Sequence, residues 1–174
     1  MDNKFFEIND RGKIMATIGI LGGNPNETTI ILSRMCQEKG QKPLVGYYKI
    51  TENNSIPIVS IDENACGSPK VFILQEATNF NLYLRYDDYL VVNIDSHIAL
   101  PLTTGGNIIT YGFNGKASVT ASSVTDDALQ ICIQRGFKSL SGCPYEPQEL
   151  KAACPANFNP LNVLGAATAA MIVS

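Results

Sequence analysis

The chain has a single histidine, no closely spaced cysteine pair, no excess of basic residues and no apolar run long enough to cross a bilayer. Each shortage excludes something. Any histidine chemistry must run through His97. The five cysteines are odd in number and none forms a C-x-x-C pair, which removes the spacing of zinc ribbons and dithiol redox sites. Cys36 and Cys132 lie in apolar-periodic segments and are expected to be reduced core residues. A formal net charge of −3 argues against nucleic acid as the partner, because phosphate neutralisation needs clustered Lys and Arg. Without a spanning segment, and with an N-terminus (MDNKFFEIND) that has no signal-peptide h-region, no membrane contact is expected and a cytoplasmic location follows. No Ser sits on a G-x-S-x-G elbow, and no Ser/His/Asp or Cys/His arrangement emerges. Repeats, low-complexity tracts and linkers are lacking too, so the 174 residues read as one domain, 1–174.

What is present is organised around Ala16 to Gly40. The apolar run Ile14 to Leu21 has the make-up of a central parallel strand. Gly22, Gly23, Asn24, Pro25 and Asn26 form a turn cluster. From Thr28 the period changes, with Ile31, Leu32 and Met35 at helical spacing, and Lys39-Gly40 is expected to end the helix. Strand, glycine turn and helix N-terminus make an anion cradle, since free N–H groups and the helix dipole converge there. A working phosphate loop places a lysine just before its Ser/Thr pair. Here that position is Glu27, followed by Thr28 and Thr29. The same stretch also reads as a plain strand-to-helix connection.

Further along, Pro43 to Lys49, Lys70 to Leu74 and Asp88 to Ile94 read as short continuous apolar strands. Ser55 to Ile61 contains Pro57 and reads as an edge strand or extended loop, and Asp62 to Pro69 as a loop. Asn79 to Tyr86 is expected to form a helical turn or two. From Asn107 onward, short β-like segments separated by Gly, Asn-Gly and Asp-Asp turns suggest antiparallel strands or hairpins at the sheet's edge. Pro147 to Ala153 reads as a short helix. The last segment, PLNVLGAATAAMIV, takes Asn159 as N-cap and Pro160 as first helical residue, and has no polar face, so it must be buried. The expected class is α/β, a mostly parallel sheet with flanking helices and antiparallel strands added in the C-terminal half. Ligands of such sheets bind beyond the carboxyl ends of the strands. That rule brings Gln75-Glu76 and Asp95-Ser96-His97 to the glycine loop.

Taken in order, GILGGNPNETT, LQEATNF, VVNIDSH, IITYGF and NFNPLNVLGAATAA resemble the central ATPase domain of the Mur ligases, most nearly the UDP-N-acetylmuramate–alanine ligase branch. The resemblance implies a P-loop fold of that type and ATP with Mg²⁺ as cofactors. It places Gly22, Gly23, Asn24, Asn26, Glu27, Thr28, Thr29, Asn159 and Asn162 at a nucleotide site, and Thr28, Glu76 and His97 at a metal site. From the residues alone, Glu76 reads as a solvated strand-end acid and His97 as a structural residue, and no cofactor is assigned. The sequence departs from the family where the chemistry lies. Glu27 replaces the ATP-binding lysine in a loop one residue longer, and Phe158 stands where the family has histidine. Asn93 matches the family's asparagine–histidine signature together with His97, in a version one residue short. His97 and Ile109 are separated by a far shorter segment than in the family, and its N- and C-terminal domains have no counterpart. Three readings follow. One is a non-catalytic binding or regulatory module, paired with a partner protein or with itself through segments such as VLGAATAAMIV. Another is a subunit of a split ATP-dependent amide ligase, and the last a structural protein that keeps only the fold.

Overall fold

The computed structural model describes residues 17–38, 44–48, 70–76, 82–96 and 102–174. The first strand, β1 (Thr17–Leu21), turns through Gly22 and Gly23 into helix α1 (Pro25–Glu38). Strands β2 (Leu44–Tyr48), β3 (Lys70–Leu74), β4 (Leu82–Leu84) and β5 (Tyr89–Asn93) follow, then a 3₁₀ turn at Ile94–Ser96. Next come β6 (Leu102–Thr104), β7 (Asn107–Tyr111), β8 (Val119–Val124), β9 (Ala128–Ile133), β10 (Phe137–Lys138), β11 (Pro144–Tyr145) and β12 (Gln148–Ala153). Helix α2 (Pro160–Ile172) is last.

An eight-stranded sheet runs in the order β12-β9-β8-β7-β5-β3-β1-β2. The ladders from β2 through to β8 are parallel, and β8-β9 and β9-β12 are antiparallel. The α/β class, mostly parallel with antiparallel strands added, is thus as expected. The burial patterns show why the two halves differ in sequence. Every residue of β5 is buried, as a strand covered on both faces requires, whereas β9 and β12 alternate between covered and open positions. One face packs against both helices. There Ile18, Ile20, Val71, Ile73, Val91 and Tyr111 meet Ile31, Leu32 and Cys36 of α1 and Val163, Leu164 and Ala167 of α2.

Several local expectations are corrected. Helix α1 begins at Pro25, not at Thr28, because Asn24 caps it: its Oδ1 accepts from the Glu27 N–H at 3.2 Å. Asn26 therefore sits in the helix. Leu82–Leu84, expected to be helical, is extended and pairs in parallel with β6. Strand β7 joins the parallel ladder beside β5 and is not part of an antiparallel hairpin. Gln148–Ala153, expected to be a helix, is a strand paired residue for residue with β9. Cys132 is half-buried on the more open side of β9, whereas Cys36 is buried as expected. The last helix is capped by Asn159 as anticipated, and Val163 through Ile172 are all buried, packed against α1 and the sheet. The Lys39-Gly40 stop, residues 49–69, Asn79 to Asn81 and His97 lie outside the described residues. Among the described residues, no helix is long and apolar enough to cross a membrane.

Candidate functional site

The turn after β1 demands glycine twice. Gly22 and Gly23 have φ of 73° and 65°, where a side chain is strained. A Cβ on Gly23 would also lie 2.7 Å from Gln75 Oε1, so the bare backbone lets the end of β3 come close. The main chain confirms that closeness, with Gln75 N–H donating to Leu21 O at 3.0 Å.

A cleft of about 500 Å³ opens beyond these strand ends. Gly23 and Asn24 form one wall, Gln75, Glu76, Asn93, Asp95 and Ser96 the floor and far side, and Asn159, Leu161 and Asn162 of the α2 entry the remaining wall. The parallel sheet has brought the ends of β1, β3 and β5 together, and the first residues of α2 adjoin them. Gly23, Asn24, Glu76, Asn159 and Asn162, which the resemblance places at a site, meet here, together with Gln75, Asp95 and Ser96 from the strand-end rule and Asn93. Gly22 lies behind Glu76, whose Cβ would be 3.2 Å from a Cβ added there. Asn26 is exposed on α1, Thr29 is half-buried, and His97 is outside the described residues.

Under the cleft runs a buried amide network. Gln75 Nε2 donates to Thr28 Oγ1 at 2.8 Å and to Asn162 Oδ1 at 2.9 Å. The Thr28 hydroxyl in turn donates to Asn24 O at 3.1 Å, so this fully buried side chain is committed to the helix start. Asn93 Nδ2 donates to Gln75 O at 3.0 Å, and its Oδ1 accepts from the Asp95 N–H at 3.1 Å. One glutamine thereby links α1, β3 and α2. Gln75 is the residue whose weight the sequence reading missed. Its signal was a polar side chain directly closing the apolar run KVFIL, before the more conspicuous Glu76. Beside it the Tyr111 hydroxyl is buried without a partner of good hydrogen-bond geometry, and burial pushes that phenol well above its ordinary range.

Glu27 does not line the cleft, and both of its carboxylate oxygens are engaged. Its Oε2 accepts from Asn24 Nδ2 at 3.1 Å, and its Oε1 accepts from the main-chain N–H of Asn159 at 2.5 Å. The carboxylate therefore joins the first turn of α1 to the cap of α2, whose own Asn159 Oδ1 accepts from Leu161 N–H at 2.9 Å. Arg34 of α1 lies 5.6 Å over the Phe158 ring and reinforces the same junction. Compared with models of known protein families, with curated proteins and with solved structures, the chain matches none. The site must therefore be read from its own chemistry.

That chemistry is polar and lacks positive charge. Among the described residues no Lys or Arg lines the cleft, while Glu76 and Asp95 do. Asp95 is engaged in structure: its carboxylate accepts from the N–H groups of Phe113 at 2.6 Å and Asn114 at 3.2 Å, fixing the loop after β7. Ser96 Oγ donates to Asn93 O at 2.9 Å, so the hydroxyl in the cleft is not paired with a base. Glu76 is exposed at the rim and is the carboxylate left facing solvent. Among the described residues, no group of three or more His, Cys, Asp and Glu side chains could hold a metal ion. The arrangement can bind a small polar molecule through amides and one acid.

Proposed function

We propose that this domain is a non-catalytic binding or regulatory module, related to the central domain of the peptidoglycan-precursor ligases, in which the Glu27 carboxylate holds the place of a phosphate. The observation that carries the reading is the pair of contacts made by Glu27, to the Asn24 amide and to the Asn159 N–H. Two helix N-termini converge at that point, and each carries about half an elementary positive charge. A carboxylate between them is stabilised by both, and a second anion arriving there meets repulsion instead of attraction. With no lysine in the loop and, among the described residues, no cation lining the cleft, the residues present do not fit a nucleoside triphosphate. They fit a neutral or cationic polar molecule, held by Asn24, Asn159, Asn162 and Glu76.

Calorimetry with Mg-ATP, ADP and UDP-muramyl compounds tests this. The unmodified protein is expected to give no nucleotide binding, and Glu27→Lys, which removes the internal carboxylate and supplies the cation, is expected to create it. Micromolar binding of Mg-ATP by the unmodified protein would sink the proposal.

One observation favours a second reading. The glycine loop, Glu76, Asn93, Asn159 and Asn162 meet in a single cleft, as the nucleotide-binding part of a split ATP-dependent amide ligase needs. That reading requires Mg-ATP binding by the unmodified chain, and loss of that binding in Glu76→Ala.

A further inference from the structure

Strand β12 ends the sheet, and among the described residues nothing pairs with its outer side. The phase of its ladder is fixed by the bond that follows it, from Cys154 N–H to Asp127 O at 2.9 Å. In an antiparallel ladder the residues that exchange backbone bonds alternate. Counting back along the register, Ala152, Leu150 and Gln148 bond to Leu129, Ile131 and Ile133 of β9. The peptide N–H and C=O groups of Glu149 and Lys151 therefore point away from the sheet. Their side chains are exposed on one face, while Leu150 and Ala152 are half-buried on the other, packed against the core.

We infer that this edge is a self-pairing surface, and that its occupant is β12 of a second copy of this chain, laid antiparallel about a two-fold axis through Leu150. In that register Glu149 lies opposite Lys151 of the other copy, and Lys151 opposite its Glu149. Both pairs exchange backbone hydrogen bonds, since these are the residues whose peptides face outward. The side chains that meet are of opposite charge, on the same face. Shifting the register to its nearest alternatives sets Glu149 against Glu149 or Lys151 against Lys151, which like-charge repulsion disfavours. On the opposite face Leu150 meets Leu150 across the axis, at the closer non-hydrogen-bonded spacing, and the apolar layer continues from one copy to the other. Pro147, which has no N–H to donate, limits the seam at its end. Charges on an edge strand discourage unlike strands. Here the same two charges select one partner and one register, because a two-fold operation maps each onto its opposite. The seam is short, so the dimer is weak and concentration-dependent.

Sedimentation of the unmodified protein from low to high micromolar concentration is the test, with circular dichroism to confirm that each variant is folded. The expected result is a monomer that becomes a dimer as concentration rises. Lys151→Glu and Glu149→Lys each put like charges across the seam and are expected to be monomeric throughout, and the double variant carrying both exchanges is expected to dimerise again. Lys151→Pro removes an outward N–H that β9 does not use, and is also expected to stay monomeric. An unmodified protein that remains monomeric overturns the proposal. So does a dimer that survives Lys151→Glu, or a double variant that fails to recover the dimer.

Discussion

The Glu27 side chain and the backbone of Asn159, 132 residues apart in sequence, share one hydrogen bond that ties the start of α1 to the cap of α2. It joins the two helices of the described residues at their N-terminal ends. Its consequences for stability can be measured apart from any ligand. Glu27→Ala removes the acceptor for Asn159 N–H and an acid from the first turn of α1. Since the group is half-buried, the expected cost is about 1 kcal/mol, typical of a lost cap. Urea denaturation monitored by circular dichroism should show a lower midpoint with an unchanged slope.

Gln75 is the more costly residue to lose. It is buried, and its amide donates to both Thr28 and Asn162. Gln75→Ala leaves the fully buried Thr28 and the half-buried Asn162 without their donor, and the expected destabilisation is about 2 kcal/mol. Glu76→Ala, one residue on and exposed, should change stability by less than about 0.5 kcal/mol. Equal effects of the two substitutions would show that the buried amide network does not hold the strand ends together.

The contact between α2 and β7 is set by Gly165. A Cβ added there would lie 2.8 Å from Tyr111 Cζ and 3.0 Å from its hydroxyl. Alanine has the higher helix propensity, so propensity alone predicts a gain for Gly165→Ala. Overpacking against a fully buried ring runs the other way, and a net loss of about 1–3 kcal/mol is expected. A melting temperature that rises would show that Tyr111 gives way.

Alkaline pH should weaken the fold through the tyrosines. Burial raises the Tyr111 phenol above its ordinary value of 10.0, and Tyr89 is shifted the same way. Below that value both folded and unfolded chains keep the protons, so the stability is intact. Above it the unfolded chain releases protons that the folded chain retains, and stability falls as pH rises. Tyr111→Phe should shrink that fall without abolishing it, as read from denaturation midpoints on either side of pH 10.

Thiol reactivity offers a check on burial. Of the four described cysteines, Cys143 is exposed, whereas Cys36 and Cys154 are buried. Burial, with the nearby Glu27 carboxylate adding to it, also pushes the Cys154 thiol upward and lowers its thiolate fraction. Iodoacetamide at mildly alkaline pH, followed by peptide mass spectrometry, should label Cys143 well before those two. Early labelling of Cys154 would mean that the loop from β12 to α2 opens readily.

The strand segments were legible where composition and burial coincide. KVFIL and DYLVVNI announced buried parallel strands because both faces are covered there, and the Asn159-Pro160 start and lack of a polar face of α2 fix both its cap and its burial. The cleft was legible in outline, since a parallel sheet sets the ends of successive strands side by side. Local pattern failed where pairing decides. Gln148–Ala153 has residues suited to a helix, and becomes a strand because β9 offers it an open edge. Leu82–Leu84 is extended because β6 lies alongside.

By itself, then, the sequence determined the α/β class, the glycine turn after β1, the buried last helix and the acid, Glu27, that follows the turn. These depend on residue type, period and local backbone freedom. Only the tertiary structure decided what Glu27 does, which polar group holds the strand ends, and where the sheet stops. Those answers depend on which groups far apart in the chain come within hydrogen-bond reach, and no local pattern carries that information.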